Sequence, residues 1–213
     1  MLGISSFSQN ITLAPKVKML ALGDSYTIGE SVAESGRWPV QFAHMLKSSA
    51  YIVDEVDIIA RTGWTTLDLK KGIKNSLNKE KRYNLVCLLI GVNDQYQGKD
   101  ISAYGPNFRY LLLKALELAG GDPSKVLVLS IPDYAFTPFG KGNGDISKEI
   151  DAYNEINLSI SREYKVLYVD ITPISREGLE RSDLVASDGL HPSEQQYKEW
   201  IEKIFREMQI ETP

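Results

Sequence analysis

The sequence predicts an α/β fold, a single three-layer α/β/α sandwich on a five-stranded parallel sheet. Short apolar runs alternate with amphipathic stretches of ten or more residues along almost the whole chain, the pattern of βαβ units. No internal repeat or long linker divides it. At 213 residues, one core can bury roughly 70% of the surface that the unfolded chain exposes, so no staple is required.

Residues 1–16 read as an N-terminal extension and residues 17–213 as the domain. Val17 to Leu22 is the first strand, ending at Gly23-Asp24-Ser25 and followed by a loop. Trp38 to Leu46 has helical spacing, with Trp38, Phe42, Met45 and Leu46 near one face. The second strand is Asp57 to Ala60, with a start near Val53 also open. Thr65 or Thr66 caps the next helix, whose stripe includes Leu67, Ile73 and Leu77. Leu85 to Ile90 is a nearly continuous apolar run, as expected of a strand covered on both faces. A long polar segment with Asn93 and Asp94 follows Gly91, and Phe108 to Ala119 is the clearest helix. Val126 to Ile131 is the fourth strand, stopped by Pro132, with a Gly-rich stretch at Pro138 to Gly144. Ile146 to Glu163 is helical, Val166 to Val169 is the fifth strand, and Ser193 to Met208 is the last helix. Ser193 and Gln196 resemble a capping box there.

The charge balance, 24 Lys plus Arg against 28 Asp plus Glu, argues against nucleic acid or an anionic membrane as partner. Lys79-Glu80-Lys81-Arg82 reads as a solvated helix end. No apolar run approaches a membrane span. The first sixteen residues lack the basic and apolar regions of a signal peptide, which points to the cytoplasm unless the N-terminus has been processed. Cys87, the only cysteine, sits in an apolar run and reads as a buried, inert thiol.

In a parallel α/β sheet the ligand crevice lies beyond the carboxyl ends of the strands. Ser25 leaves strand one there. Its hydroxyl is a weak nucleophile without a base within reach, and by default such a serine caps a backbone turn. The chain has two histidines. His44 falls in the first helix, where a surface position is the plain reading, whereas His191 lies in a Gly- and Pro-containing turn three residues after Asp188. Asp188 at Nδ1 would leave Nε2 unprotonated to accept the Ser25 proton. A capping Asp188 and a packing His191 are the structural alternative. An oxyanion needs preorganised donors, and Gly63 N–H, the Asn93 amide and Ser25 N–H are the candidates. Gly63 and Asn93 are also ordinary turn residues.

All four groups fall in order at predicted carboxyl ends of strands. Through Gly23-Asp24-Ser25-Tyr26, Gly63, Gly91-Val92-Asn93-Asp94 and Asp188-Gly189-Leu190-His191, the chain resembles the SGNH hydrolases of the GDSL lipase and esterase superfamily. The resemblance runs from Gly23 through the final helix and implies a flavodoxin-like sandwich. It also implies a nucleophile at Ser25, an acid and base at Asp188 and His191, and oxyanion donors at Ser25, Gly63 and Asn93. A Gly-x-Ser-x-Gly elbow is absent around Ser25, which disfavours an ordinary α/β-hydrolase.

Expected, then, is a serine esterase or acylhydrolase acting through an acyl-enzyme on short-chain or water-soluble esters. Acylated sugars and lysolipids are the alternative substrates, and Tyr26, Trp64, Tyr96, Phe136 and Phe139 are candidate substrate contacts. No cofactor or metal is expected, Asp24 and Asp94 being too scattered for a ligand set. The rivals are a nucleotide or flavin module, disfavoured by the missing Gly-x-Gly-x-x-Gly, and a noncatalytic carbohydrate-binding relative.

Overall fold

The computed structural model describes residues 11–76 and 81–208. Five strands, β1 (Lys16–Gly23), β2 (Ile52–Ala60), β3 (Leu85–Leu89), β4 (Val126–Leu129) and β5 (Leu167–Val169), form one sheet in the order β2-β1-β3-β4-β5. Every pairing is parallel. All residues of β3 and β4 are buried, as their unbroken apolar sequence requires.

Strand order and handedness together place the helices. The chain steps from β1 to β2 in one direction, then crosses back to β3 and continues outward to β5. Right-handed crossovers therefore put α2 (Trp38–Ser48) on one face and α3 (Thr66–Ser76), α5 (Ile101–Leu118) and α6 (Gly144–Glu163) on the other. The packing agrees: α3 and α6 flank α5, whereas α2 packs on α8 (Glu194–Met208), the last helix. The reversal leaves a crevice at the carboxyl ends of β1 and β3. Two short helices start there, α1 (Ser25–Ile28) and α4 (Val92–Tyr96), and α7 (Thr172–Ser175) follows β5.

Several boundaries differ from the sequence expectation. The segment after β1 is a turn of helix rather than a loop, because the buried Asp24 carboxylate accepts Tyr26 N–H and caps it. The polar segment after β3 is likewise helical over Val92–Tyr96. Helix α5 starts at Ile101, seven residues before Phe108, with Asp100 as its cap. Pro106 lies inside the helix; its missing N–H removes one helical bond, and the residue is exposed. At α8 only half of the capping box forms: Gln196 N donates to Ser193 Oγ, but the Gln196 side chain donates to the Leu184 carbonyl.

Of the expected extension, Ile11 is buried in the core, Thr12 N bonds Ser124 O and Lys16 already pairs with Ile52, while residues 1–10 lie outside the described residues. Leu77 of the α3 stripe and residues 79–80 of the basic run also lie outside them. Lys81 does not end a helix; it bridges Glu55 and Asp57 on the edge strand β2. His44 is exposed, and burial pushes the Cys87 thiol far up, leaving it inert. Among the described residues no helix is long and apolar enough to cross a membrane.

Candidate active site

Gly23 ends β1 where no side chain fits: a Cβ there would stand 2.1 Å from Thr27 Oγ1 and 2.5 Å from the Leu89 carbonyl oxygen. That close passage delivers Ser25 to the first position of α1, at the rim of the crevice. Gly91 does the same after β3, with φ of +131° and the Tyr104 hydroxyl 2.2 Å from where a Cβ would be. It sets Asn93 in the first turn of α4. Gly63, after β2, has φ of +80° with open space around it, so backbone conformation rather than crowding selects glycine.

Asn93 Nδ2 donates to the Trp64 carbonyl at 3.1 Å and approaches Asp24 Oδ2 at 3.4 Å. Gln97 Nε2 donates to the Gly63 carbonyl at 3.2 Å. The segments after β1, β2 and β3 are thus tied to one another through polar side chains.

Asp188 and His191 lie in a tight turn closed by Ala186 N–H donating to the His191 carbonyl, with Gly189 at φ of +73°. Asp188 Oδ1 accepts the backbone N–H groups of Leu190 and His191 at 2.9 and 3.0 Å. Its Oδ2 meets His191 Nδ1 at 2.6 Å. A carboxylate at Nδ1 fixes the tautomer in which Nε2 is the ring's acceptor. Partial burial opposes ionisation of Asp188, but donation from Ser31 and from the His191 backbone and side chain holds its carboxyl well below the usual range. Asp24 behaves oppositely. Complete burial, reinforced by the like charge of Asp94, outweighs its bonds from Tyr26 N–H and Asn93, so its carboxyl is pushed up to about 7.

These segments enclose a cavity of about 250 Å³ lined by residues that include Ser25, Gly63, Asn93 and His191. Tyr26, Tyr96 and Phe139 line it too, and the Tyr26 ring lies 5.3 Å from the imidazole. Asp188 stands behind His191. Trp64 and Phe136, expected as substrate contacts, are not among the lining residues. The Trp64 indole covers α3, 2.3 Å from where a Cβ of Gly72 would be, and Phe136 is half-buried with its carbonyl against Gly178.

Four lining residues were not among the expected contacts: Thr62, Val92 and Leu190, which adjoin Gly63, Asn93 and His191 in sequence, and Tyr134, which belongs to none of those segments. Tyr134 had a signal, because Asp133 caps a 3-10 turn over Tyr134–Phe136 by accepting Ala135 N–H. The Tyr134, Tyr96 and Phe139 rings form a triangle with centroids 6.0 to 6.2 Å apart. A larger open groove of about 680 Å³ lies between α5 and α6, with Arg109, Glu155 and Ser159 among its lining residues and no histidine.

Comparison with known proteins places this geometry in context. An acetylxylan esterase, Axe2 from Geobacillus stearothermophilus, superposes with a TM-score of 0.72 at 21% identity, covering 96% of this chain and 98% of that one. TesA superposes with a TM-score of 0.70 at 19% identity, covering 90% and 97%. A member of the lipolytic protein G-D-S-L family from Veillonella parvula DSM 2008 gives 0.68 at 20% identity, covering 89% and 96%. At such identities these likenesses concern the fold. A search of curated proteins finds no match. The sequence profile of the GDSL-like Lipase/Acylhydrolase family matches residues 21–199, and the chain belongs to that family of hydrolases.

Proposed function

We propose that the protein is a serine esterase acting on small or water-soluble carboxylic esters, with Ser25 as nucleophile, His191 as general base and Asp188 orienting His191. The observation that carries the reading is the 2.6 Å contact between Asp188 Oδ2 and His191 Nδ1 at the edge of the cavity that Ser25 also lines. In this reading His191 Nε2 removes the Ser25 proton as Oγ attacks the acyl carbonyl. The oxyanion is met by the N–H groups of Ser25 and Gly63 and by the Asn93 amide. Imidazolium then protonates the departing alcohol, and a water activated by the same base releases the acid from the acyl-serine.

The cavity, about 250 Å³, suits a short acyl group with part of its alcohol. The exposed rings of Tyr96 and Phe139 at its mouth favour, as a second reading, an acetylated sugar whose apolar face stacks on them. The acetylxylan esterase activity of the structural neighbour Axe2 agrees with that reading. The test is hydrolysis of p-nitrophenyl acetate, butyrate and octanoate beside acetylated xylooligosaccharides, with Ser25→Ala as control. Loss of turnover in S25A supports the assignment; undiminished turnover rejects it, and with it the esterase site at Ser25.

A further inference from the structure

Ser31 stands outside the four sequence blocks, yet its hydroxyl reaches across the fold to the acid. Ser31 Oγ donates to Asp188 Oδ2 at 2.6 Å, the oxygen that also receives His191 Nδ1 at 2.6 Å. The approach depends on an unusual backbone. Gly29 and Ser31 adopt φ of +72° and +63°, and a non-glycine residue in that region is uncommon and costs energy. The turn is also tied on its other side, because Thr62 Oγ1, beside Gly63, donates to Glu30 Oε2. Residues 29–31 therefore span from the segment after β2 to the acid–base turn.

We propose that Ser31 is a positioning residue: by sharing Asp188 Oδ2 with the imidazole N–H, it fixes the carboxylate's orientation and limits how strongly it holds the protonated base. The proposal rests on the esterase reading above. A hydroxyl donating to a carboxylate oxygen draws charge from it and weakens it as an acceptor for the other donor. Without Ser31, Asp188 stays anchored through Oδ1 by the N–H groups of Leu190 and His191. Its Oδ2 then answers to the imidazole alone, holds the imidazolium more tightly, and keeps the base protonated to higher pH.

Other ionisable groups surround the pair. Tyr26 from α1 and Tyr197 from α8 are phenols that burial pushes up, so they stay neutral, and Tyr134 beside them is raised as well. Asp133 borders the small cavity behind His191 and is paired with Arg176 at 2.9 Å, and Arg37 acts on Tyr197. Asp24, pushed up to about 7, contributes equally to parent and variant, so the difference between them isolates Ser31.

The test compares Ser31→Ala and Ser31→Gly with the parent. Both delete the hydroxyl, while glycine accepts the positive φ and keeps the experiment valid if alanine disturbs folding. In both, the acid limb of kcat/KM for p-nitrophenyl acetate moves up by about half a pH unit. An acid limb that coincides with the parent's in both variants overturns the proposal, because a merely structural serine would change yield or stability without moving it. A second readout does not need activity. In a His44→Gln background His191 is the sole imidazole, and its Nδ1–H proton resonance moves downfield when Ser31 is removed. If S25A retains full turnover, the esterase reading fails on its own account. The resonance then decides the Ser31 contact, and an unmoved proton overturns it.

Discussion

Asn93 Nδ2 donates to the Trp64 carbonyl at 3.1 Å, so an amide on the segment after β3 is oriented by the backbone after β2. That bond uses one of the two amide protons. The second meets Asp24 Oδ2 at 3.4 Å, and in the proposed mechanism it is the proton that would turn to the developing oxyanion. Asn93→Ala should lower kcat by about 10²–10³-fold with little change in KM, the behaviour of a donor that acts mainly in the transition state. Steady-state kinetics on p-nitrophenyl acetate measure this, and an unchanged kcat removes Asn93 from the oxyanion role.

Asp188 accepts three bonds from its own turn and one from Ser31, so replacing it with a neutral isostere disturbs the tautomer more than the turn. Asp188→Asn should keep the fold, judged by circular dichroism, while kcat falls by about 10³–10⁴-fold as the imidazole loses the partner that keeps Nδ1 protonated. Labelling of Ser25 by a serine-directed phosphonate should slow in D188N and in His191→Ala. Labelling at the parent rate in either variant would remove that residue from activation of Ser25.

The Tyr96, Tyr134 and Phe139 triangle gives the cavity one aromatic wall, of which Tyr134 is buried while Tyr96 and Phe139 remain 58% and 49% exposed. Phe139 is also fixed by its backbone, whose N–H donates to the Gly189 carbonyl in the Asp188–His191 turn. Truncating either exposed ring to alanine removes apolar contact worth about 1–2 kcal/mol, or roughly 5–30-fold in kcat/KM, for a substrate long enough to reach it. Activity on octanoate should therefore fall in Y96A and F139A while activity on acetate changes little. Equal losses on both esters would argue that the rings support the turn rather than touch substrate.

The parallel sheet was legible because β3 and β4 are apolar on both faces, and the blocks around Ser25, Gly63, Asn93 and His191 because glycine and proline mark strand ends. Contacts between distant segments were not. Nothing local in Ser31 reveals a partner 157 residues away. Trp64 follows Gly63, yet a ring-sized gap above Gly72 draws its indole onto α3, and pairing of that kind has no local sequence period. Tyr134 and Phe136 exchange places for a similar reason: two residues apart in a 3-10 turn, they point in different directions, and only the Asp133 cap says which turn forms. Helix α5 was legible only from Phe108 onward, because the apolar stripe that marks it begins there, whereas its first turns rest on the Asp100 cap, whose side chain accepts Ser102 N–H.

Asp24 makes stability depend on pH in a direction opposite to most carboxylates. Burial raises its carboxyl from 3.8 to about 7, so between those values the folded chain holds a proton that the unfolded chain has released. The contribution of this group is therefore fully present below about pH 4 and is lost as pH rises to about 7, with an upper bound of roughly 4 kcal/mol at 1.36 kcal/mol per unit. Asp188 has the reverse sign: its contribution is present above the ordinary carboxylate range and is lost as pH falls below that range towards the carboxyl's own, much lower folded-state value. Asp24→Asn keeps an oxygen for Tyr26 N–H but carries no charge at any pH. Its stability relative to the parent should rise steadily from pH 4 to pH 7 and level off above, as read from urea midpoints at constant m-value. A stability difference that stays flat across this window would mean that Asp24 is ionised throughout, and that its charge is accommodated by Asn93 and the Tyr26 N–H.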